Sequence, residues 1–560
     1  MDEIQLRVDA LRRRRTELEN SVIDEFFSGH ISRREFVRAG TVLGMSLPLL
    51  SFLVACGGGG TATSSSPGGG AVKKGGRISA ASMKPTGAIN PLKVSDQGGL
   101  MVLALVGEFL AWSGADNKLR PVLAESWSPN SDGSVWTFKI RQGVSFNDGT
   151  PMTANDVAYT MNLHADPANG SNALSAFKGV LGKGGATATD QSTVQFHLEA
   201  PNGNFPYLVS SDNYNLNILP NNFDPANFEK SFPGTGPWKM SSYQTGAGFS
   251  VARNPNYWDK ANTPHLDGAD WKFYADEQPQ VIALQGNNVQ LVGFLSAAGV
   301  QALGNSSNFS VMDVKSAAHR QVHMRTDMEP FTDKRVRQAM ALALNRPDVV
   351  QGVFNGKAQI GNDSPFFKVY QSTDTSVAQR SQDINKAKQL LSQAGKSAGF
   401  NVTLTTERVQ EIPDLAQLIQ SAAKKIGVTI NLNITDSATY YGESTFGQSP
   451  WLDSVMGITD YGHRGVPNVF LMAPLLSTGT WNAAHFKNTQ YDQLVAQYVK
   501  TVDVPSQRKV AGQIQRLLLD ETPIIFPYNF DWLGATRSNL LNVELTATGQ
   551  VDLRKAGLKA

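Results

Sequence analysis

Residues 57–74 separate the part of this chain that can build a core from the part that cannot. They read Gly-Gly-Gly-Gly-Thr-Ala-Thr-Ser-Ser-Ser-Pro-Gly-Gly-Gly-Ala-Val-Lys-Lys. Such a stretch has too little apolar surface to bury and behaves as a flexible tether. By random-coil scaling it spans roughly 20–25 Å root-mean-square. The chain has 560 residues, too many for one hydrophobic core, so two or three domains are expected beyond the tether. Cys56 is the single cysteine. No intrachain disulfide can form, and packing alone must hold the body together. Fifty basic and 48 acidic residues give a formal net charge of +2, which argues against a general nucleic-acid surface.

Ahead of the tether, a charged leader (residues 1–31) runs into Ser32-Arg33-Arg34-Glu35-Phe36-Val37 and then an apolar segment, roughly Val42 to Ala55. That segment is shorter than the ~20 residues a spanning helix needs. The pair Arg33 and Arg34 ahead of a short hydrophobic core reads as a twin-arginine export signal. Cys56 has small or aliphatic residues before it and glycines after it, which resembles the lipobox of bacterial lipoproteins. The resemblance implies a diacylglycerol on the Cys56 sulfur and cleavage that makes Cys56 the new N-terminus. The expectation is a signal peptide over 1–56 and a tether over 57–74. A body without transmembrane segments would then be held at the outer face of the cytoplasmic membrane.

The body alternates two periodicities. Trp136, Phe138 and Ile140 alternate with Val135, Thr137 and Lys139, a half-buried strand, and Val194, Phe196 and Leu198 form another. Asn147-Asp148-Gly149 marks a turn. Thr153 with Asp156 three residues on predicts a helix start leading into Val157–Met161. Asp333 opens a helix with Val336, Ala339, Met340 and Ala343 inward. Ile384, Ala387, Leu390 and Leu391 have helical spacing, and Gly395 ends it. Ser506 is expected to cap a helix carrying Val510, Ile514, Leu517 and Leu518, closed by Pro523. Strands over Val402–Thr405 and Val428–Ile434 flank a helix over 413–426, and Phe309–Arg325 reads as a strand. The class is α/β with mixed sheets.

Six or more separated strings make a more specific pattern: Pro121–Trp127, Phe138–Val157, Gly234-Thr235-Gly236-Pro237-Trp238, Arg253-Asn254-Pro255-Asn256-Tyr257-Trp258, Val336-Arg337-Gln338-Ala339 with Asn345-Arg346, and Ala387–Leu391 with Ala394-Gly395. In this order, from about residue 75 to about 540, the set resembles the peptide and nickel class of extracellular solute-binding proteins that serve ABC transporters. The resemblance implies a type II periplasmic-binding-protein fold, with two lobes around a cleft plus an extra domain. Lobe I would combine 75–106, 230–310 and 520–560, the extra domain would be 107–229, and lobe II would be 311–519. The crossings near 310 and 520 would be the hinge, and the body a monomer that partners with an ABC permease and its ATPase.

The same resemblance points to a ligand contact. In peptide-binding members an acidic residue of an Ala-Asp-Tyr type motif pairs with the peptide ammonium. Thr459-Asp460-Tyr461-Gly462 looks like that motif and makes Asp460 the leading candidate, with Tyr461 beside it. A carboxylate suits a closed, poorly hydrated cleft, where an unpaired ammonium is costly. Arg464 offers a positive charge to a carboxylate or phosphate. The chain departs from the peptide-binder pattern at Gly457, where Trp is frequent, and at Ser454, where some members carry Arg. Trp481–Phe486 also resembles a family segment and is assigned to the scaffold.

The eight histidines are scattered, and His319 and His323 lie on a strand, where their spacing makes no chelate. No metal or other cofactor is expected, nor is catalysis, since no nucleophile elbow, phosphate loop or paired-cysteine motif stands out. The expected ligand is a short peptide or another amine-bearing solute. The alternatives are an oligosaccharide or opine-like compound, or a surface sensor that closes without transport.

Overall fold

The computed structural model describes residues 71–560. Arg33, Arg34 and Cys56 lie outside the described residues, as do the rest of the expected signal and most of the tether. Ten strands organise the fold: β1 (Arg77–Met83), β2 (Trp238–Gln244), β3 (Gly248–Arg253), β4 (Gly268–Tyr274), β5 (Leu291–Leu295), β6 (Phe309–Met324), β7 (Phe400–Glu407), β8 (Val428–Thr435), β9 (Met456–Tyr461) and β10 (Tyr528–Arg537). They form one mixed sheet in the order β8-β7-β9-β6-β10-β5-β1-β4-β3-β2, with the short strands Ala358–Ile360 on β10 and Ile524–Ile525 on β6. Parallel neighbours need a crossover helix. Between β7 and β8 that helix is Ile412–Lys424, which buries Ile412, Leu415, Ala416, Ile419, Ala422 and Ala423 on one stripe. No helix among the described residues is long and apolar enough to cross a membrane.

Separate cores form along this sheet. Ile78, Leu103, Trp238, Phe249, Trp271, Val314 and Val551 belong to one, in which Trp271 stacks on Phe249 at 5.5 Å. On the other side, Val322, Ala339, Leu404, Ile419 and Ile458 form a second, and Ala317, Phe367, Phe470, Ile514 and Phe526 a third beside it. A four-stranded antiparallel sheet, ordered Ala124–Pro129, Val135–Ile140, Thr193–His197, Ala186–Asp190, carries its own core. There Phe138 meets Phe196 at 5.1 Å. Val466, from the loop that follows β9, packs into this core.

Local starts and stops follow the side chains. Thr153 and Asp156 close a capping box on the helix Ala154–Ala165, and Asp333 caps Lys334–Ala343. Gly395, just past the helix Ile384–Gln393, sits at φ +72°, a conformation that favours glycine. The long helix begins earlier than expected. It runs Val504–Glu521, and Asp503, not Ser506, is the cap, accepting from the Ser506 N–H. Pro505 explains this: proline fits the first turn, so the cap precedes it.

Two strands carry the chain between the halves. β6 and β10 pair antiparallel from Phe309↔Arg537 to Val314↔Trp532, then again at Ala318↔Phe530 and His319↔Asn529. Between these registers β6 has the extra residues of a bulge. At this bulge β6 passes from one core to another, since Val314 and Ala317 belong to different ones. Side chains from three parts of the chain occupy the bulge: Asn529 Nδ2 donates to Ser316 O at 2.7 Å, Asn117 Nδ2 donates to Lys315 O at 3.3 Å, and the Ala317 N–H donates to His463 Nδ1 at 2.9 Å. The return passage is β10. Ile524 and Phe526, beyond position 520, still pack in the core around Phe470.

Candidate functional site

β9 is paired unequally along its two edges. Its antiparallel partner β6 follows it from Met324↔Met456 to His319↔Tyr461. Its parallel partner β7 stops at Ile458. On that edge Thr459, Asp460 and Tyr461 have no strand partner, and there the sheet opens into a recess of about 280 Å³, close to the lower end of the range for small-solute sites.

The recess brings Asp460, Tyr461 and Arg464 together with Tyr441, Trp451 and Trp481. Tyr461 meets Trp481 at 6.2 Å, and Tyr441 meets Trp451 at 5.5 Å. Tyr461 is buried and stacks on the His319 ring at 5.4 Å. Burial pushes its hydroxyl above the ordinary tyrosine value, so it acts as a neutral wall. His319 is equally enclosed. Its Nδ1 lies 2.8 Å from Ala317 O, and burial lowers its pKa to about 3, which keeps the ring neutral among its aromatic neighbours.

Asp460 stands directly across from Arg320 in the β6–β9 register, and their side chains form an ion pair. The Arg320 side chain is fully buried, whereas that of Asp460 is 40% exposed. Arg320 also donates through Nη2 to Gln410 Oε1 at 2.7 Å and to Glu411 Oε2 at 3.2 Å, and its guanidinium lies 4.7 Å over the Phe530 ring. Tyr528 steadies Glu411 with a hydrogen bond of 2.9 Å to Oε1. Burial opposes the Arg320 charge, but Asp460 and Glu411 outweigh it and hold the guanidinium above its ordinary value. One buried cation therefore faces two carboxylates. The group keeps one excess negative charge, carried to the recess by the half-exposed Asp460.

The departure at Gly457 has a steric cause. A Cβ there would lie 2.5 Å from His323 Cε1 and 2.8 Å from Thr405 O. Tyr440, whose hydroxyl donates to Ile458 O at 2.8 Å, closes the same space. A tryptophan cannot stand at this position. The sequence reading placed Trp481 in the scaffold, but it lines the recess. It also missed Arg320, Tyr441 and Trp451, which no local pattern marks.

The sequence profile of the bacterial extracellular solute-binding proteins, family 5 (Middle), matches residues 118–470, more than half of the chain. The chain belongs to family 5 of the bacterial extracellular solute-binding proteins. It is accordingly an extracytoplasmic solute-binding component of ABC import and not an enzyme. Among curated relatives, the dipeptide-binding protein DppE of Bacillus subtilis (strain 168) is 26% identical over 482 residues, 80% of this chain and 86% of DppE. The glutathione-binding protein GsiB of Escherichia coli (strain K12) is 26% identical over 424 residues, 73% of this chain and 80% of GsiB. The periplasmic binding protein DppA from Helicobacter pylori, solved with the peptide STSA, superposes with a TM-score of 0.69 at 20% identity, covering 87% of this chain and 99% of that one. This likeness establishes the type II fold of the family 5 body.

Proposed function

We propose that the protein is a lipoprotein, anchored through Cys56 after twin-arginine export, that captures a short peptide or other amine-bearing solute and delivers it to an ABC permease. One observation carries the ligand class. The half-exposed Asp460 carboxylate enters an aromatic recess that Arg464 also lines, beside a strand edge that β7 leaves unpaired beyond Ile458. A ligand ammonium would complete the charge balance around Arg320, and an extended backbone could run along the open edge. DppE, named for dipeptides, and GsiB, named for glutathione, support solutes of this size and polarity. Tyr441, Trp451 and Trp481 would line the side-chain space without selecting strongly among side chains.

The test is isothermal titration of the mature protein with trialanine and N-acetyl-trialanine. The free ammonium should bind more tightly by on the order of tenfold or more, as expected for a charge-assisted hydrogen bond. Asp460→Asn should erase most of that difference. Equal affinities for the two peptides in the wild type would refute an ammonium at Asp460.

A further inference from the structure

Two charged side chains line the recess beside β9, Asp460 and Arg464. Asp460 is matched by Arg320 of β6. Arg464 has no such match. It forms no ion pair among the described residues, where its guanidinium makes one hydrogen bond, from Nη1 to His463 O at 2.9 Å. Arginine carries five N–H donors in a planar fork that fits a carboxylate, so most of this donor set is unclaimed. Asp212, on the other side of the loop, packs against Gly465 and the His463 ring and forms no ion pair with Arg464.

The loop that carries Arg464 is fixed at several points. The Ala317 N–H donates to His463 Nδ1 at 2.9 Å, and the Tyr370 hydroxyl donates to Arg464 O at 2.9 Å. Val466 is buried in the neighbouring core. The guanidinium turns back over Gly462, where a Cβ would lie 3.9 Å from Nη1. Gly462 also lines the recess and is two residues from Asp460. Two residues span at most about 7 Å, so the guanidinium lies within roughly 13 Å of the Asp460 backbone. An extended peptide advances about 3.3–3.6 Å per residue. A dipeptide or tripeptide therefore spans the two charges, and a longer one must loop or carry its carboxylate past Arg464.

We propose that Arg464 takes the ligand's carboxylate and restricts the recess to short zwitterions, peptides of two or three residues with both ends free. The ammonium sits at Asp460, and the wall of Tyr441, Trp451 and Trp481 receives the side chains between the two ends. An uncharged ligand end would cover the guanidinium without using its fork, and covering polar groups in that way is costly. This role for Arg464 rests on the reading of Asp460 as the ammonium contact and sets the other end of the same ligand.

Isothermal titration with trialanine, trialanine amide, N-acetyl-trialanine and pentaalanine tests it. Wild-type protein should bind trialanine on the order of tenfold or more tighter than the amide, and tighter than pentaalanine. Arg464→Gln should level trialanine with its amide while the penalty for N-acetylation remains. Arg464→Lys should keep part of the preference for the free acid, because the charge stays and the fork is lost. Comparing probes within each variant separates ligand contact from general damage to the fold. A wild type that does not distinguish acid from amide, or a distinction that survives Arg464→Gln, would overturn the role of Arg464. Pentaalanine bound as tightly as trialanine would overturn the length limit. If N-acetylation weakens binding while amidation does not, only the Arg464 role falls. If amidation costs affinity through Arg464 while N-acetylation costs none, only the ammonium at Asp460 falls. If none of the four peptides binds, both fall.

Discussion

Replacing Arg320 with leucine should damage this protein in a manner specific to its charge arrangement. The Arg320 side chain is fully buried and serves two carboxylates, Asp460 and Glu411. Leucine would pack acceptably against Phe530, so little is lost by volume. What remains is Glu411, with a side chain only 15% exposed, near Asp460 with no cation between them. Breaking a buried pair by removing one partner costs about 3–5 kcal/mol. Unfolding about 490 ordered residues at about 2.1 cal/mol/K each gives an entropy near 1 kcal/mol/K, so the melting temperature should drop by about 3–5 °C. The pH dependence supplies the signature. In the variant two carboxylates lie near each other with no cation between them, and protonating either one relieves that repulsion in the folded state only. The gap from wild type should therefore shrink as pH falls from 7 to 5. Differential scanning calorimetry at both pH values reads this. A loss under about 1 kcal/mol, or a gap independent of pH, would refute the account.

Three further outcomes are expected. Glu108 is fully buried and accepts from Tyr257, Trp258 and Thr235 at 2.7–2.9 Å, and burial, outweighing those bonds, raises its pKa to about 7. Its folded value exceeds its unfolded one, so wild-type stability should fall by about 3 kcal/mol as pH rises from 4.5 through 7, and Glu108→Gln should flatten that slope in urea titrations. Gly457→Ala should destabilise by about 1–3 kcal/mol through overpacking against His323 and Thr405 O, whereas an unchanged denaturation midpoint would show that the site yields. Cys56→Ser should move the protein from membrane to soluble fractions with trialanine affinity retained, and persistent membrane association would exclude Cys56 as the anchor.

Short-range features were legible in the sequence for physical reasons. Trp136, Phe138 and Ile140 announce a strand because alternation alone decides which face is wet. Thr153 and Asp156 announce a helix start because both partners of the capping box lie within one turn. Asp460 stood out through a motif. Its environment did not, because it comes from distant pairings: Arg320 is 140 residues from Asp460 and 91 from Glu411. The aromatic wall was equally silent. Tyr441, Trp451 and Trp481 sit on short helices and loops, where no period relates one aromatic residue to the next.

The unbroken sheet through β6 and β10 has a consequence for how such a molecule can be divided. Cutting the halves apart would leave each with a long raw margin of backbone amides and carbonyls, ready to recruit any passing extended chain. Neither half is therefore a module that can be traded or expressed alone. The loops at the strand ends lie outside that pairing, so they can change without opening the seam.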